Sequence, residues 1–587
     1  MVTGKYTKEI LGWADYAVIG IILAISSSIG VYFRFTGGRQ KTVQEYFSAD
    51  RTINAGVLAF ALMVSYMSAI TLLGTSAENY AYGSQIAALY LAQGLATPFV
   101  SYLYLPVFFK FQKMSTFEYL EMRFGFTARL LTSIMSASHM LLYTGIVLYA
   151  PALALEATTG FSTDLSILLI GIICTFYSTI GGIKAVLMTA VFQGIFMFGA
   201  AIIVIILGII NIEGGVGRIW QLAVDGGRIE FDNFSLDPTM RHTWWNLTIG
   251  TLILSLAANG VTQVQVQRFL TAKTLRSAQI AAIGSWPLAL CLGLLASFAG
   301  LVMYAFFVDC DPVASGEISA NDMLMPYFVV MTTANIPGLA GLFIAGIFSA
   351  SLSTVSAIIN ALTAVALEDY VKPVYDKLGF QFPEKRAILF GKFLAVAVGV
   401  ICILLSYLSK RFGSLVQATY SIAGIVYGPL LAIFTLGMFF ESAEEKGAVT
   451  GTLFGLALVS WIAFGYPRPS NIPLSVSTVG CNNVTLPTQI VTSIRQMPLG
   501  DSSYFYLYRI SYMWYAPMGF IVSMVIGLAV SNLIGLLSKN TPREIDPDLF
   551  TPLIAKRVRR RRVNVSKTSN IQISTIHEHK RDIRIPS

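Results

Sequence analysis

Residues 200–210 read AAIIVIILGII. A strand of a membrane β-barrel alternates apolar with polar side chains, and nothing in this run alternates. In lipid, so apolar a backbone can satisfy its own hydrogen bonds only as a helix. The run belongs to a longer apolar stretch that starts near Ala185, and stretches of this kind recur along almost the whole chain, separated by short loops. A bilayer core takes roughly 20 apolar residues per helix. Hydrophobic residues make up 55% of the 587 residues and charged residues only 12%, about half the charged fraction of a soluble domain. The sequence therefore predicts an all-α polytopic membrane protein, folded as one helical bundle.

Thirteen transmembrane spans are expected, starting near Ala14, Gly56, Ile86, Arg129, Asp164, Ala185, Trp244, Ile280, Pro337, Leu389, Gly413, Gly447 and Trp514. The first run, about Ala14 to Phe33, is too long for the apolar part of a signal peptide and has no convincing cleavage site. Basic residues fall on alternate connections: Arg34, Arg39, Lys41 and Arg51; Lys110, Lys113 and Arg123; Arg268, Lys273 and Arg276; Lys372, Lys377, Lys385 and Arg386. The positive-inside rule makes that side cytoplasmic. The N-terminus is then extracellular and the C-terminus cytoplasmic, as for a multi-pass plasma-membrane protein. Residues 1–538 form the membrane domain, and residues 539–587 a basic cytoplasmic tail expected to be mostly disordered. The net charge of +9 is explained by these loops and by Arg557 and Arg559 to Arg562, which suit anionic lipid; no nucleic-acid partner is expected.

Two sequons, at Asn233 and Asn483, lie in long outer loops and are the expected glycosylation sites, whereas Asn246 opens a span and Asn564 is in the tail. Cys174, Cys291 and Cys402 sit in apolar runs and read as buried small hydrophobes. Cys310 and Cys481 fall in outer loops, where disulfides persist, and are candidates for one. The four histidines are scattered, and no metal-ligand pattern or nucleophile–base set is present, so no enzyme and no cofactor is expected.

Polar residues inside the membrane are costly unless they pair or line a cavity. The second span carries Ser65, Tyr66, Ser68 and Thr71, followed by Gly74. The seventh carries Asn259, Gly260, Thr262, Gln263, Gln265 and Gln267. Hydrogen bonding between helices would account for one such cluster. Two clusters five spans apart match the broken helices of transporters with inverted repeats. The ninth span holds Ser349, Ser351, Ser353, Thr354 and Ser356, too many hydroxyls for a lipid face. Close packing by small residues is one reading. The other is a sodium site, because hard cations take oxygen ligands.

Several long segments resemble the sodium/solute symporter family: YTGIVLYAPALALEATTGF (143–161), GIICTFYSTIGGIKAVLMTAVFQ (171–193), QVQRFL (265–270), the run from Pro337 to Pro373 and YGPLLAIFTLGMFF (427–440). They occur in the family's order, and the similarity runs from about residue 12 to 538. Within the family, the chain is similar to the branch of sodium-coupled monocarboxylate, multivitamin and iodide transporters. The resemblance implies thirteen helices around two inverted five-helix repeats, at about 55–211 and 244–440. It implies a sodium site of backbone oxygens of Val64, Met67 and Ala350 with the hydroxyls of Ser353 and Thr354. A second polar region would comprise Ser65, Ser68, Tyr143 and Thr419. Thr71, Asn259, Thr262, Gln263 and Tyr420 would contact substrate.

The chain departs from the family at these sites. Ala190 stands where an acidic residue associated with sodium coupling is usual, Thr71 where iodide and sugar members have Gln, and Asn259 where the family has Tyr. The expected function is sodium-coupled import of a small organic anion, or a related anion, by alternating access. The alternative is a transport-poor sensor on the same fold, for which Ala190 is the main argument. A channel would need a selectivity filter or ring, and none is seen. The expected partners are a small anionic substrate, sodium ions and the lipid bilayer. Lactate, pyruvate, short fatty acids, biotin, pantothenate and iodide are all open as substrates, and so is the oligomeric state.

Overall fold

A computed structural model describes residues 11–35, 51–380, 382–410, 413–469, 471–481, 504–537 and 545–562. Among these residues the chain is helical, and its one β-type contact is an isolated bridge between Ile53 and Ala272. The main helices are α1 (Trp13–Phe35), α2 (Ala55–Tyr66), α3 (Ala69–Tyr82), α4 (Ser84–Phe111), α5 (Phe126–Thr159), α6 (Thr163–Asn211) and α7 (Trp244–Gly260). They continue with α8 (Gln263–Phe269), α9 (Leu275–Phe306), α10 (Leu339–Lys377), α11 (Glu384–Ser409), α12 (Leu415–Phe439), α13 (Glu445–Phe464) and α14 (Tyr512–Leu537).

Nine helices among the described residues are long and apolar enough to cross a bilayer, or eleven if each of two bent pairs counts as one span. Two shorter apolar segments, Trp13–Ile29 and Thr163–Phe176, lie where the first and fifth spans are expected. The second of these belongs to α6, which is helical over 49 residues. At about 1.5 Å per residue, α6 is far longer than one crossing needs.

The bent pairs are α2–α3, at 56°, and α7–α8, at 55°. In the first, Met67 (φ −87°, ψ 101°) and Ser68 (φ −102°, ψ −175°) are extended, and Ser68 restarts the helix by accepting a bond from the Ile70 N–H. The extended residues take the nearby carbonyls out of the i→i+4 ladder. In the second, Val261 and Thr262 leave helical geometry after Gly260. Asn246, the sequon that opens α7, is fully buried and completes a capping box with Thr243.

α10 is the centre of the bundle. Every side chain from Phe343 to Val365 is buried, as expected of a helix surrounded on all sides. All six hydroxyl residues of this segment, Ser349, Ser351, Ser353, Thr354, Ser356 and Thr363, therefore face protein and not lipid. At the periphery, Gly447, Gly451 and Gly455 of α13 pack on Gly527, Ser523 and Gly519 of α14, where a methyl group would strike the facing helix. Small residues at this spacing let helices approach closely in lipid.

Loops cover one end of the bundle. Cys310 and Cys481 form a disulfide there, with S–S 1.95 Å. The two linked loops clamp the end of α3: Tyr80 Oη donates to Asp311 Oδ2 at 2.5 Å, and the Leu474 N–H donates to Ala81 O at 2.8 Å. We refer to this as the disulfide end.

Two expectations are corrected. Residues 545–562 of the tail are folded against the opposite end of the bundle. Leu549, Phe550 and Ala555 are buried, the Thr551 N–H donates to Met438 O at 3.1 Å, and Tyr119 Oη donates to Leu549 O at 3.0 Å. The average polarity of the tail conceals a short apolar run, LFTPLIA (549–555), large enough to dock. Cys291 is exposed, unlike Cys174 and Cys402. It lies on a membrane helix, where a small apolar side chain suits lipid as well as core. Asn483 lies outside the described residues. Asn233 is half-buried, its amide donating to His242 O at 3.1 Å.

Candidate functional site

The two helix breaks face a shared cavity of about 170 Å3, closed by α5 and α12. Nine of the residues expected to hold ions or substrate line it: Ser65, Met67, Ser68 and Thr71 from α2–α3; Tyr143 from α5; Asn259 and Thr262 from α7–α8; Thr419 and Tyr420 from α12. No lining residue is Asp, Glu, Lys or Arg.

Gln263 is not in the cavity. Its amide accepts from the Thr116 N–H at 2.8 Å and donates to Met114 O at 2.7 Å, tying α8 to the loop before a short helix, Glu118–Arg123. α8 turns this side chain away and Gln265, two residues on, toward the cavity. Ser65 Oγ donates to Leu62 O at 2.6 Å, so its lone pair accepts from Gln265 Nε2 at 2.9 Å. The hydroxyl proton is thus already used, which orients the amide: nitrogen toward Ser65, oxygen free.

Several lining groups are buried and unpartnered among the described residues: Gln265 Oε1, Thr251 Oγ1, Thr419 Oγ1 and both ring nitrogens of His139. The His139 ring lies 4.4 Å from Tyr427 and 6.0 Å from Tyr143. A native protein leaves few such groups unsatisfied, and four converging on one cavity mark it as a place for a polar ligand. The sequence reading missed His139. A titratable residue inside an apolar span was the available signal.

The expected sodium ligands lie beside this cavity, on α2 and α10, which pack together. Val64, Ala350, Ser353 and Thr354 are fully buried, and Met67 nearly so. Thr354 Oγ1 donates to Ala350 O at 3.2 Å, whereas Ser353 Oγ has no partner. A buried hydroxyl without a partner, on a helix packed against one whose carbonyls are released at a break, is the donor chemistry a hard cation requires. On α6, Gly194 abuts Val64. Ala190 is fully buried one turn earlier, and between them the Gln193 amide has no partner.

Polar clusters lie toward both ends of the bundle. At the disulfide end, Arg241 pairs with Glu78 Oε1 at 2.5 Å, donates to Gln417 Oε1 at 3.0 Å and stacks on Tyr82 at 4.1 Å. His242 Nε2 is 2.8 Å from Tyr512 Oη and 3.6 Å from Glu78, and the Tyr512 ring stacks on Tyr420 of the cavity at 6.3 Å. Burial works against the Arg241 charge, but Glu78, with Tyr512 and Tyr82 beside it, more than offsets this and holds its pKa up. Burial, with Arg241 beside it, pushes His242 well down and keeps it neutral. Asp322 accepts from the Leu415 N–H at 3.1 Å, and burial raises it to about 7, with Glu78 adding to the shift. At the opposite end, Arg129 binds Asp369 Oδ1 through two nitrogens at 2.7 and 2.8 Å, and Ser115 Oγ donates to Asp369 Oδ2 at 2.8 Å.

Comparison with known proteins agrees with this architecture. Residues 46–455 match the model of the sodium:solute symporter family. A Drosophila melanogaster protein whose name assigns it provisionally as a sodium-dependent multivitamin transporter is 44% identical, over 94% of this chain and 93% of its own length. The mouse sodium-coupled monocarboxylate transporter 2 is 38% identical, over 93% of this chain and 87% of its own length. The structure of a sodium-coupled sialic acid symporter superposes with a TM-score of 0.74 at 22% identity, covering 91% of this chain and 99% of that one, and so shares the fold. The chain belongs to the sodium:solute symporter family.

Proposed function

We propose that this sodium-coupled symporter imports a small organic anion, a monocarboxylate or vitamin-like carboxylate, across the plasma membrane. The observation that carries the reading is the uncharged cavity at the N-terminus of α3. The cavity offers an anion neither a repelling carboxylate nor a basic side chain that would hold it fast. Ser68, Ile70 and Thr71, which line it, sit at the positive dipole end of α3, and broken helices of transporters use such ends for anionic groups. The named relatives that carry monocarboxylates or vitamins support the same class.

Sodium would bind Ser353, Thr354 and the carbonyls of Val64, Met67 and Ala350. Ser65, Ser68, Tyr143 and Thr419 form the adjoining polar region, and Thr71, Asn259, Thr262 and Tyr420 contact the anion. The disulfide end is extracellular and the docked tail cytoplasmic. The Arg241–Glu78 and Arg129–Asp369 clusters are the latches that alternate. Inward sodium flux drives uptake, the membrane potential adding about 2.3 kcal/mol per charge per 100 mV. The main argument for the sensor alternative is Ala190, while the family and its named relatives are transporters.

The test is uptake by the purified chain in proteoliposomes, with and without a sodium gradient, for lactate, pyruvate, butyrate, biotin, pantothenate and iodide. Sodium-dependent uptake of at least one carboxylate is expected. Uptake of iodide alone, or equal uptake without sodium, would overturn the reading.

A further inference from the structure

His139 occupies an unusual position. It is buried in the middle of α5, it lines the cavity between the two breaks, and neither ring nitrogen has a partner. A neutral imidazole always presents one N–H donor and one acceptor, so leaving both unmet wastes two hydrogen bonds. Tyr143 stacks parallel to the imidazole and Tyr427 packs against it at a tilt of 47°, and a packing role alone would be filled as well by Phe. Gln265 faces the same cavity from α8. Because Ser65 holds its nitrogen, its free group is an acceptor. Among the described residues neither group is met by a neighbour, and a substrate hydroxyl that accepts from the imidazole N–H and donates to Gln265 Oε1 would satisfy both.

We propose that His139 and Gln265 select a carboxylate that brings its own hydrogen-bond donor, a hydroxyl or an amide N–H, over a halide or an unsubstituted acid of similar size. This rests on the carboxylate reading above. A halide or a simple fatty acid supplies acceptors only, and binding either would strip water from Gln265 Oε1 without replacing it. A site built to bond a substrate's OH or NH discriminates strongly against the analogue without it, because its own buried group is left unpaired.

Lactate and propionate differ by one hydroxyl and serve as the probes. In proteoliposomes, the full chain should transport lactate more efficiently than propionate, by roughly tenfold for one buried hydrogen bond. His139→Phe keeps the ring and removes both nitrogens. Gln265→Met keeps the length and removes the acceptor. Each should bring the lactate-to-propionate ratio close to one by lowering lactate uptake, leaving the sodium concentration for half-activation unchanged. His139→Gln, which retains a donor and an acceptor, should keep part of the preference and serves if His139→Phe does not reach the membrane. A wild-type chain that carries lactate and propionate equally, or variants that transport carboxylates with the wild-type ratio, would overturn the assignment of His139 and Gln265 alone. A wild-type chain that carries no carboxylate would overturn the functional reading beneath it.

Discussion

Replacing Arg241 by Gln should unlatch the disulfide end. Glu78 is 2% exposed, and its carboxylate is matched by Arg241 at 2.5 Å, with the neutral His242 3.6 Å away. Removing one member of a buried pair costs about 3–5 kcal/mol, because the remaining charge is left without water or partner. The penalty falls on the closed form alone, since opening lets water reach Glu78. At about 1.4 kcal/mol per factor of ten, even the lower figure favours the open form about a hundredfold. Ala423 lines the cavity below this cluster. In an Ala423→Cys background, with the exposed Cys291 replaced, Arg241→Gln should raise labelling by a membrane-impermeant thiol reagent added outside by at least about tenfold. Glu78→Gln combined with Arg241→Gln removes the stranded charge and should return labelling most of the way to its starting rate. Wild-type labelling in the single variant, at normal surface abundance, would refute the latch. A double variant as reactive as the single would refute the electrostatic cause.

Three further outcomes are expected. Ser353→Ala removes the one unpartnered hydroxyl of the proposed sodium site, so the sodium concentration for half-maximal uptake should rise about tenfold, equivalent to about 1.4 kcal/mol; an unchanged sodium curve would exclude Ser353 as a ligand. Ala190→Asp restores an oxygen donor one turn from the unpartnered Gln193 amide and should shift apparent sodium affinity upward or speed turnover, whereas an unaltered sodium dependence would show that position 190 is only packing. Asp322 is raised to about 7 by burial, so between the ordinary carboxylate range and pH 7 the folded chain binds more protons than the unfolded one, and stability falls as pH rises through that window. Asp322→Asn keeps an acceptor for Leu415 and should flatten that decline in a thermal melt; parallel slopes for both proteins would exclude Asp322 as its source.

Much of the architecture was legible because the bilayer imposes it. An apolar run such as 200–210 has one viable backbone geometry, and the polar clusters of the second and seventh spans mark the two pairs that bend, α2–α3 and α7–α8. The serines of α10 could be placed inside because hydroxyls avoid lipid, and the structure buries them all. The docked tail was not legible, since a seven-residue, mostly apolar run in a basic segment identifies no partner surface until the end of α12 and the helix Glu118–Arg123 stand beside it.

Within α8, composition marks a polar cluster but cannot say which amide faces the cavity. That depends on how the short helix is rotated against the loop at Met114 and Thr116, which takes Gln263 and leaves Gln265 for Ser65. His139 is likewise one isolated histidine in the chain, and only the convergence of α5, α8 and α12 brings it into the cavity. The sequence by itself determined the helical class, the breaks and the kind of chemistry, because these follow from local backbone and solvation rules, but not that the fifth and sixth expected spans join in one 49-residue helix. Tertiary structure decided which polar groups are spent on holding the bundle and which stay free for a ligand, because that depends on what packs against each from far along the chain.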